Sequence, residues 1–391
     1  MIQNKIIPIF FSHLRKHNLM VTKTIYFYAK VGDLNEKPYG GGEVGNRRTM
    51  EMMTNLGYNV RLLPRYYNYK KKSVIVYVQM ILGDFFSLLN LFCVLLFQKR
   101  ERAVVHISGF TGLYMPLEFL SVLTSRLLGY KVNYEIRGGG IIGFYNDGNF
   151  VYKWMFRKAI NYADTVFSQG YENKELISSK SRSAFFYYPN CVKEDFMPAE
   201  CPKKPIKPIN IIYMGRISPQ KNIDIILQTF KKVHDLGVDV KLDIIGGGED
   251  YPEYFLKNKE YIIKNELQNI CIFHGKMNKL EMVPFLENAT FFLFPTKEKR
   301  EGQSNALTEL MSFGIIPIAS SQGYTRTIVD CDNLIEDELT PDAYSAKLLA
   351  IVASGQIGDL SSQMYNRIKK HYTYSNIQRC LKNEYERIMM K

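Results

Sequence analysis

Twice along this chain, short apolar runs alternate with longer stretches of helical pattern, and a proline-rich break separates the two series. The first series runs KTIYFYA (residues 23–29), YNVRLLP, RAVVHIS, YKVNYEIR, ADTVFSQ and SAFFYYP; the second runs INIIYMG, VKLDIIG, ICIFHG, TFFLFP and IIPIAS. These runs are close to the usual strand length. Strands separated by helices predict parallel sheets with right-handed crossovers. The break, AECPKKPIKP, holds three prolines and four charged residues, which suits a linker. The expected architecture is α/β, with two doubly wound domains in tandem. They cover residues 1–198 and 209–372, joined by a linker over 199–208. A helical tail over 373–391 is expected to pack back toward the first domain. Ligands in such sheets sit beyond the carboxyl ends of the strands, so two such domains would face each other across a cleft.

Composition narrows the partners. With 391 residues, 46% of them hydrophobic, there is material for two packed cores and a disordered chain is excluded. The formal net charge of +13 points to an anionic partner: a nucleic acid, an acidic membrane face or a phosphorylated small molecule. The basic clusters at Lys70–Lys72, Lys99–Arg102 and Arg367–His371 are dispersed and fall in no nucleic-acid-binding motif, so nucleic acid is set aside. Six cysteines without paired spacing predict a reducing, cytoplasmic compartment. Only His13 and His17 lie close together among the histidines, with no acid or cysteine beside them, so no metal site is expected. IIPIFF followed by SHLRKHN near the start is not read as a signal peptide.

Residues 73–98, SVIVYVQMILGDFFSLLNLFCVLLFQ, are almost uniformly apolar with basic flanks and are long enough to cross a bilayer. Gln79, Asp84 and Asn90 interrupt the run, and a central Asp is costly in lipid. A buried helix of the first domain is the first expectation, a helix lying on a membrane surface the second, and a span the third.

Three loops of the second series carry candidate chemistry. In YMGRISPQKN, Arg216 follows the strand-ending Gly215 and Lys221 comes five residues later. Two cations beside a helix start can hold a diphosphate, although a solvated basic loop would read the same way. In IIGGGED, Gly246 and Gly248 allow close backbone approach to a ligand, or else form a tight strand-to-helix turn. The dinucleotide fingerprint is incomplete there, because Tyr251 stands where a third glycine belongs.

The third loop, TKEKREGQSNALTELMSFG, places Glu301 before Gly302 and Glu309 eight positions later. Were the segment helical throughout, the two carboxylates would be about 12 Å apart along the axis, comparable to the span from sugar to ribose in a nucleotide-sugar. The helix start lies between them. On this reading Glu301 holds sugar hydroxyls, the amides of Gln303, Ser304 and Asn305 hold the diphosphate, and Glu309 holds the ribose diol. A charged loop residue and a helix-surface glutamate would look similar in isolation.

Taken together, GRISPQKN, DIIGGGED, YYPNCVKEDF and the long stretch from FHGKMNKLEM to GIIPIAS resemble the retaining glycosyltransferases of the GT-B fold, glycosyltransferase family 4. The resemblance covers essentially all of the second domain and the layout of the first. It implies two Rossmann-like domains facing a central cleft. Arg216 and Lys221 would bind the donor diphosphate, Glu301 would contact the transferred sugar, and Glu309 the ribose. Gly41 and Gly42 in YGGGEVG match a first-domain glycine loop that approaches the diphosphate and acceptor. Where the family usually carries a histidine against the sugar, this chain has Arg137, placed for an anion such as an acceptor phosphate. His106 is a second strand-end candidate for acceptor or sugar contact, a position that is more often structural.

The expected activity is transfer of a hexose, with retention and without a metal, from a UDP- or GDP-sugar. The acceptor would be a glycan or a lipid-linked glycan of capsule or lipopolysaccharide type. The nucleotide-sugar is a substrate, and no cofactor is expected. An enzyme of this kind would be cytoplasmic, with an anionic face of the plasma membrane as a further partner. Asp330 and Asp332, the one Asp-x-Asp pair, read as a surface turn. A nucleotide-sugar epimerase and a non-catalytic scaffold of the same shape are the alternatives; a dehydrogenase fails on the incomplete glycine fingerprint.

Overall fold

The computed structural model describes residues 23–38, 40–66, 74–110 and 112–390. His13, His17, the IIPIFF stretch and Lys70–Lys72 lie outside the described residues. The first half runs β1 (Thr24–Ala29), α1 (Gly41–Asn55), β2 (Asn59–Pro64), α2 (Val74–Leu96), β3 (Ala103–Gly109) and α3 (Met115–Leu127). It continues through β4 (Lys131–Ile136), α4 (Ile141–Asp147), α5 (Phe150–Tyr162), β5 (Thr165–Ser168), α6 (Lys174–Lys180) and β6 (Ala184–Tyr187). The second half opens with β7 (Ile209–Met214), α7 (Ile223–Asp235), β8 (Val240–Ile245), α8 (Pro252–Lys264), β9 (Cys271–Gly275) and α9 (Lys279–Asn288). There follow β10 (Phe291–Phe294), α10 (Asn305–Met311), β11 (Ile316–Ala319), α11 (Thr325–Val329), α12 (Pro341–Ser354), α13 (Ile357–His371) and α14 (Tyr374–Met390).

All strand pairs are parallel, in two sheets ordered β2-β1-β3-β4-β5-β6 and β11-β10-β7-β8-β9. Helices cover both faces, so strands such as β10 (FFLF) are apolar at every position rather than alternating. In each sheet the winding reverses once, between β1 and β3 and between β7 and β10. Neighbouring loops part at such a reversal and leave a crevice at the carboxyl ends. The β7–β10 pairing is short, only Ile211 with Phe291 and Ile212 with Phe292, which opens that crevice further.

The second sheet has one core built around Ile211, Leu227, Phe292 and Leu310. The first sheet has a core on each face. One gathers Leu91, Leu95, Val105 and Phe156 beneath α2, α3 and α5; the other gathers Phe27, Met53 and Phe167 with Leu381 and Tyr385 of α14. After α13 the chain therefore crosses back to the first sheet. At the crossing Val192 N–H donates to the Tyr372 carbonyl at 2.8 Å, and Tyr374 N–H donates to the Val192 carbonyl at 2.8 Å.

Helix α2 corrects an expectation. It is not a buried helix: only 17% of its most apolar window is covered. One stripe, including Leu91 and Leu95, packs on α3 and β2, and the rest of the apolar surface faces outward.

Candidate functional site at the crevice between the two sheets

The loops after β7 and β10, neighbours at the reversal of the second sheet, form the floor of the site. Pro219 fixes a 3-10 turn over Pro219–Lys221. The Gln220 carbonyl accepts from Lys297 N–H at 2.9 Å, and Asn222 Nδ2 donates to the Pro295 carbonyl at 2.8 Å. These bonds join the two loops and bring Lys221 Nζ onto Glu301 Oε2 as an ion pair, 17% exposed on each side. The same ammonium lies 5.0 Å from the centre of the Phe294 ring. Arg216 is more open, about half exposed, with Nε 3.7 Å from Asp250 Oδ2. Its carbonyl accepts from Tyr213 Oη at 2.8 Å, which steadies the turn.

Helix α10 starts at Asn305 with Ser304 as its cap, the Ser304 Oγ accepting from Leu307 N–H at 3.4 Å. Glu301 therefore lies in the loop ahead of the helix, and the separation of about 12 Å expected for a continuous helix does not apply. Glu309 faces Lys279 at the start of α9, Oε1 to Nζ 3.0 Å. The side chain of Gln303 is taken up by Asn190. Asn190 N–H donates to its Oε1 at 2.5 Å, and its Nε2 donates to the Asn190 carbonyl at 3.1 Å. That exchange fastens the second unit to the end of the first. Asn305 Oδ1 accepts from Arg48 Nη2 at 3.1 Å, another contact across the crevice.

The glycines report close approaches. A Cβ on Gly246 would overlap the Gly215 carbonyl oxygen, and one on Gly248 would stand 2.7 Å from the Phe255 ring. At both positions the packing of the protein itself leaves no room for a side chain. Gly41 begins α1 and faces Asn305 across the crevice, where a Cβ would stand 3.5 Å from Nδ2, while a Cβ on Gly42 would meet Phe110 at 2.8 Å. A Cβ on Gly139 would overlap the Glu301 carbonyl oxygen, as would one on Gly323, so these two glycines let three loops converge on the Glu301 backbone. Gly302 lies beside the Arg137 carbonyl.

Arg137 and His106 are both buried and share Glu135 as a partner. The Arg137 guanidinium is buried under α1, with Nη2 2.9 Å from Glu135 Oε1 and bonded to Thr49 Oγ1; its Nε has no hydrogen-bond partner among the described residues. His106 is fully buried, with Nδ1 2.6 Å from Tyr385 Oη on α14 and Nε2 2.9 Å from Glu135 Oε2. Burial raises the Glu135 carboxyl, but Arg137 and the His106 hydrogen bond outweigh it and hold the group below the usual carboxylate range. The chain Tyr385–His106–Glu135–Arg137–Thr49 is a structural link from α14 to α1; His106, the fourth of the seven residues of β3, lies inside the sheet rather than at a strand end, and Arg137 lines a small cavity with Arg48 and Asn190 beside the crevice. Asp330 pairs with Arg367, and the exposed Asp332 pairs with Arg326 at 3.0 Å.

Sequence reasoning does not single out Lys279, Asp250, Arg48, Asn190 or Gly323. Lys279 and Asp250 lie on other loops of the same sheet edge and could have been found only by asking which charges would neutralise Glu309 and Arg216.

The chain matches the family described as Glycosyl transferases group 1 over residues 199–371. It is 30% identical over 118 residues to a lipopolysaccharide 1,2-N-acetylglucosaminetransferase of Salmonella typhimurium, a match covering 29% of this chain and 30% of that relative. The matches span less than half the length of the curated relatives. Two solved structures share the fold nearly end to end. Sucrose-phosphate synthase from Thermosynechococcus elongatus superposes with a TM-score of 0.70 at 13% identity, over 94% of this chain and 99% of that one. Anabaena HepE in complex with UDP gives a TM-score of 0.67 at 10% identity, over 93% and 100%. Residues 199–371 thus form a Glycosyl transferases group 1 domain, and the two parallel sheets together have the GT-B architecture of two Rossmann-like domains.

Proposed function

We propose that this chain is a retaining glycosyltransferase that moves a hexose from a nucleoside diphosphate onto a glycan or lipid-linked acceptor of a surface polysaccharide, in the cytoplasm. The observation that carries the reading is the pairing of Lys221 with Glu301 at the reversal of the second sheet, with Arg216 beside it and the start of α10 behind it. Each of these cations now faces an acid. A diphosphate would take the place of Asp250 against Arg216 and draw Lys221 toward itself, freeing Glu301 for the hydroxyls of the sugar. Glu309, 20% exposed, would exchange Lys279 for the ribose diol.

In the reaction the bond between the anomeric carbon and the diphosphate oxygen breaks as the acceptor oxygen bonds that carbon from the same face. The acceptor proton passes to the departing phosphate oxygen. Negative charge grows on the diphosphate during this step, so Arg216, Lys221 and the N–H groups ahead of α10 act most strongly in the transition state. UDP in the HepE structure and N-acetylglucosamine in the name of the Salmonella relative make a uridine-diphosphate donor of that sugar the first to test.

The test is a thermal-shift screen of UDP- and GDP-sugars, since a donor that binds only the folded state raises its melting temperature. A donor should stabilise the wild type, Glu309→Ala should weaken that binding roughly tenfold, and Arg216→Ala should mainly lower turnover. If no nucleotide-sugar shifts the melting curve, or both variants keep wild-type activity, the proposal fails.

A further inference from the structure

Helix α2 leaves an apolar surface that the glycosyl-transfer reading does not use. Ile75 (71%), Ile81 (69%), Phe85 (59%) and Phe86 (61%) are exposed, and Phe97 just beyond the helix is 81% exposed. Of the polar residues in the run, Gln79 and Asn90 are exposed beside these apolar side chains, whereas Asp84 and Ser87 are not. Asp84, the one charged residue in the helix, is turned toward the protein, where Arg65 and Lys30 act on its carboxyl and burial raises it. Ser87 is buried, with its Oγ donating to the Gly83 carbonyl at 2.8 Å and accepting from Tyr66 N–H at 3.0 Å. The surface continues sideways, because α2 packs on α3 and α3 on α5. Leu120 and Leu127 on α3, and Phe150, Val151 and Trp154 on α5, are exposed on the same layer of helices. Single exposed apolar residues are ordinary, but a layer of them is not.

Charge identifies the occupant. Lys99, Arg100 and Arg102 follow α2, Arg126 lies on α3, and Lys153, Arg157 and Lys158 lie on α5. The acids nearby are Glu101, Asp147 and Asp164, the last already paired with Arg126 and Lys131. An apolar strip bordered by an excess of cations would repel an identical copy of itself in a two-fold contact. It is complementary to acyl chains beneath anionic headgroups. We infer that the outer layer of α2, α3 and α5 docks on an anionic phospholipid bilayer, with the apolar side chains of α2 inserted at the level of the headgroups. Tyr66, just past the end of β2, bonds to Ser87, so the middle of α2 lies at the carboxyl edge of the first sheet and its Val74 end extends beyond that edge, on the side of the crevice. This inference stands independently of the donor chemistry.

The chain has one tryptophan, Trp154, and it lies on this layer, packed against Phe119. It therefore serves as an internal reporter. The full chain is mixed with vesicles of phosphatidylcholine alone or with an equal share of phosphatidylglycerol. Co-sedimentation with the anionic vesicles, a blue shift of Trp154 emission and its quenching by brominated acyl chains are expected. Phe85→Ser and Phe86→Ser should each weaken vesicle binding roughly tenfold, while the stabilisation of the protein by nucleotide-sugars stays unchanged. The inference is overturned if neither vesicle binds, or if binding is indifferent to these two substitutions. It is equally overturned if the protein is a dimer in solution that the same substitutions dissociate, which would make a second copy the occupant.

Discussion

The two sheets both set charged residues at their carboxyl edges, yet use them differently. In the second, Arg216 is about half exposed and Lys221 partly so, each opposed by one acid from a neighbouring loop. In the first, Arg137 and Arg65 are buried, bound to Glu135 and facing Glu118. A desolvated charge is held by fixed partners because separating it from them is costly. A half-open cation with one acidic neighbour can exchange that neighbour for another anion. Position at a strand end is therefore not enough to mark a ligand contact; the surroundings of the charge decide.

The largest effect that would test this contrast is in the first sheet. Glu135→Leu leaves Arg137 and His106 buried without their shared carboxylate and should cost about 3–5 kcal/mol, measured by denaturant unfolding. A loss of activity with unchanged stability would move Glu135 from the structural side of the comparison to the catalytic side. In the second sheet the opposite pattern is expected: Lys221→Ala should lower turnover roughly 10²–10³-fold and leave unfolding nearly unchanged, since it removes a partly open ion pair. Between the two lies Gly139→Ala. Its added methyl meets the Glu301 carbonyl and must push the loops apart, lowering kcat/KM on the order of 10²-fold; unchanged kinetics would mean that the loops are not apposed when the proposed reaction takes place.

The effect that is smallest per step of pH concerns Lys30, whose ammonium burial and the neighbouring Arg65 push down to about 7. Between that value and the ordinary 10.5 the unfolded chain binds more protons than the folded one, so stability should rise with pH across this window. The slope is at most about 1.4 kcal/mol per pH unit for one proton. Melting curves of Lys30→Met should be flatter over the same range; an identical slope would remove Lys30 as its source.

The strands were legible because two-sided burial writes itself as unbroken runs of Ile, Phe, Tyr and Val, and the two series around AECPKKPIKP revealed two sheets. Arg216, Lys221 and Glu301 were legible as residue types at strand ends, and the structure brings them to one crevice. The directions of Arg137 and His106 were not. They depend on α1 and α14, and the Tyr385 that holds His106 lies 279 residues away. Nor could sequence decide which part of α2 is covered, because a helix apolar on nearly all sides has no polar face to mark the outside. Only the packing of Leu91 and Leu95 settles that.

The paired bonds of Val192 with Tyr372 and Tyr374 have a mechanical consequence. The polypeptide passes between the two halves twice, once on the way out and once on the way back, and the passages are fastened side by side at this point. Two adjacent pivots permit swinging about the line through them and resist both twisting and sliding. Any rotation about that line would have to part Asn190 from Gln303 and Gly139 from the Glu301 backbone, the contacts that hold the two sides of the crevice together.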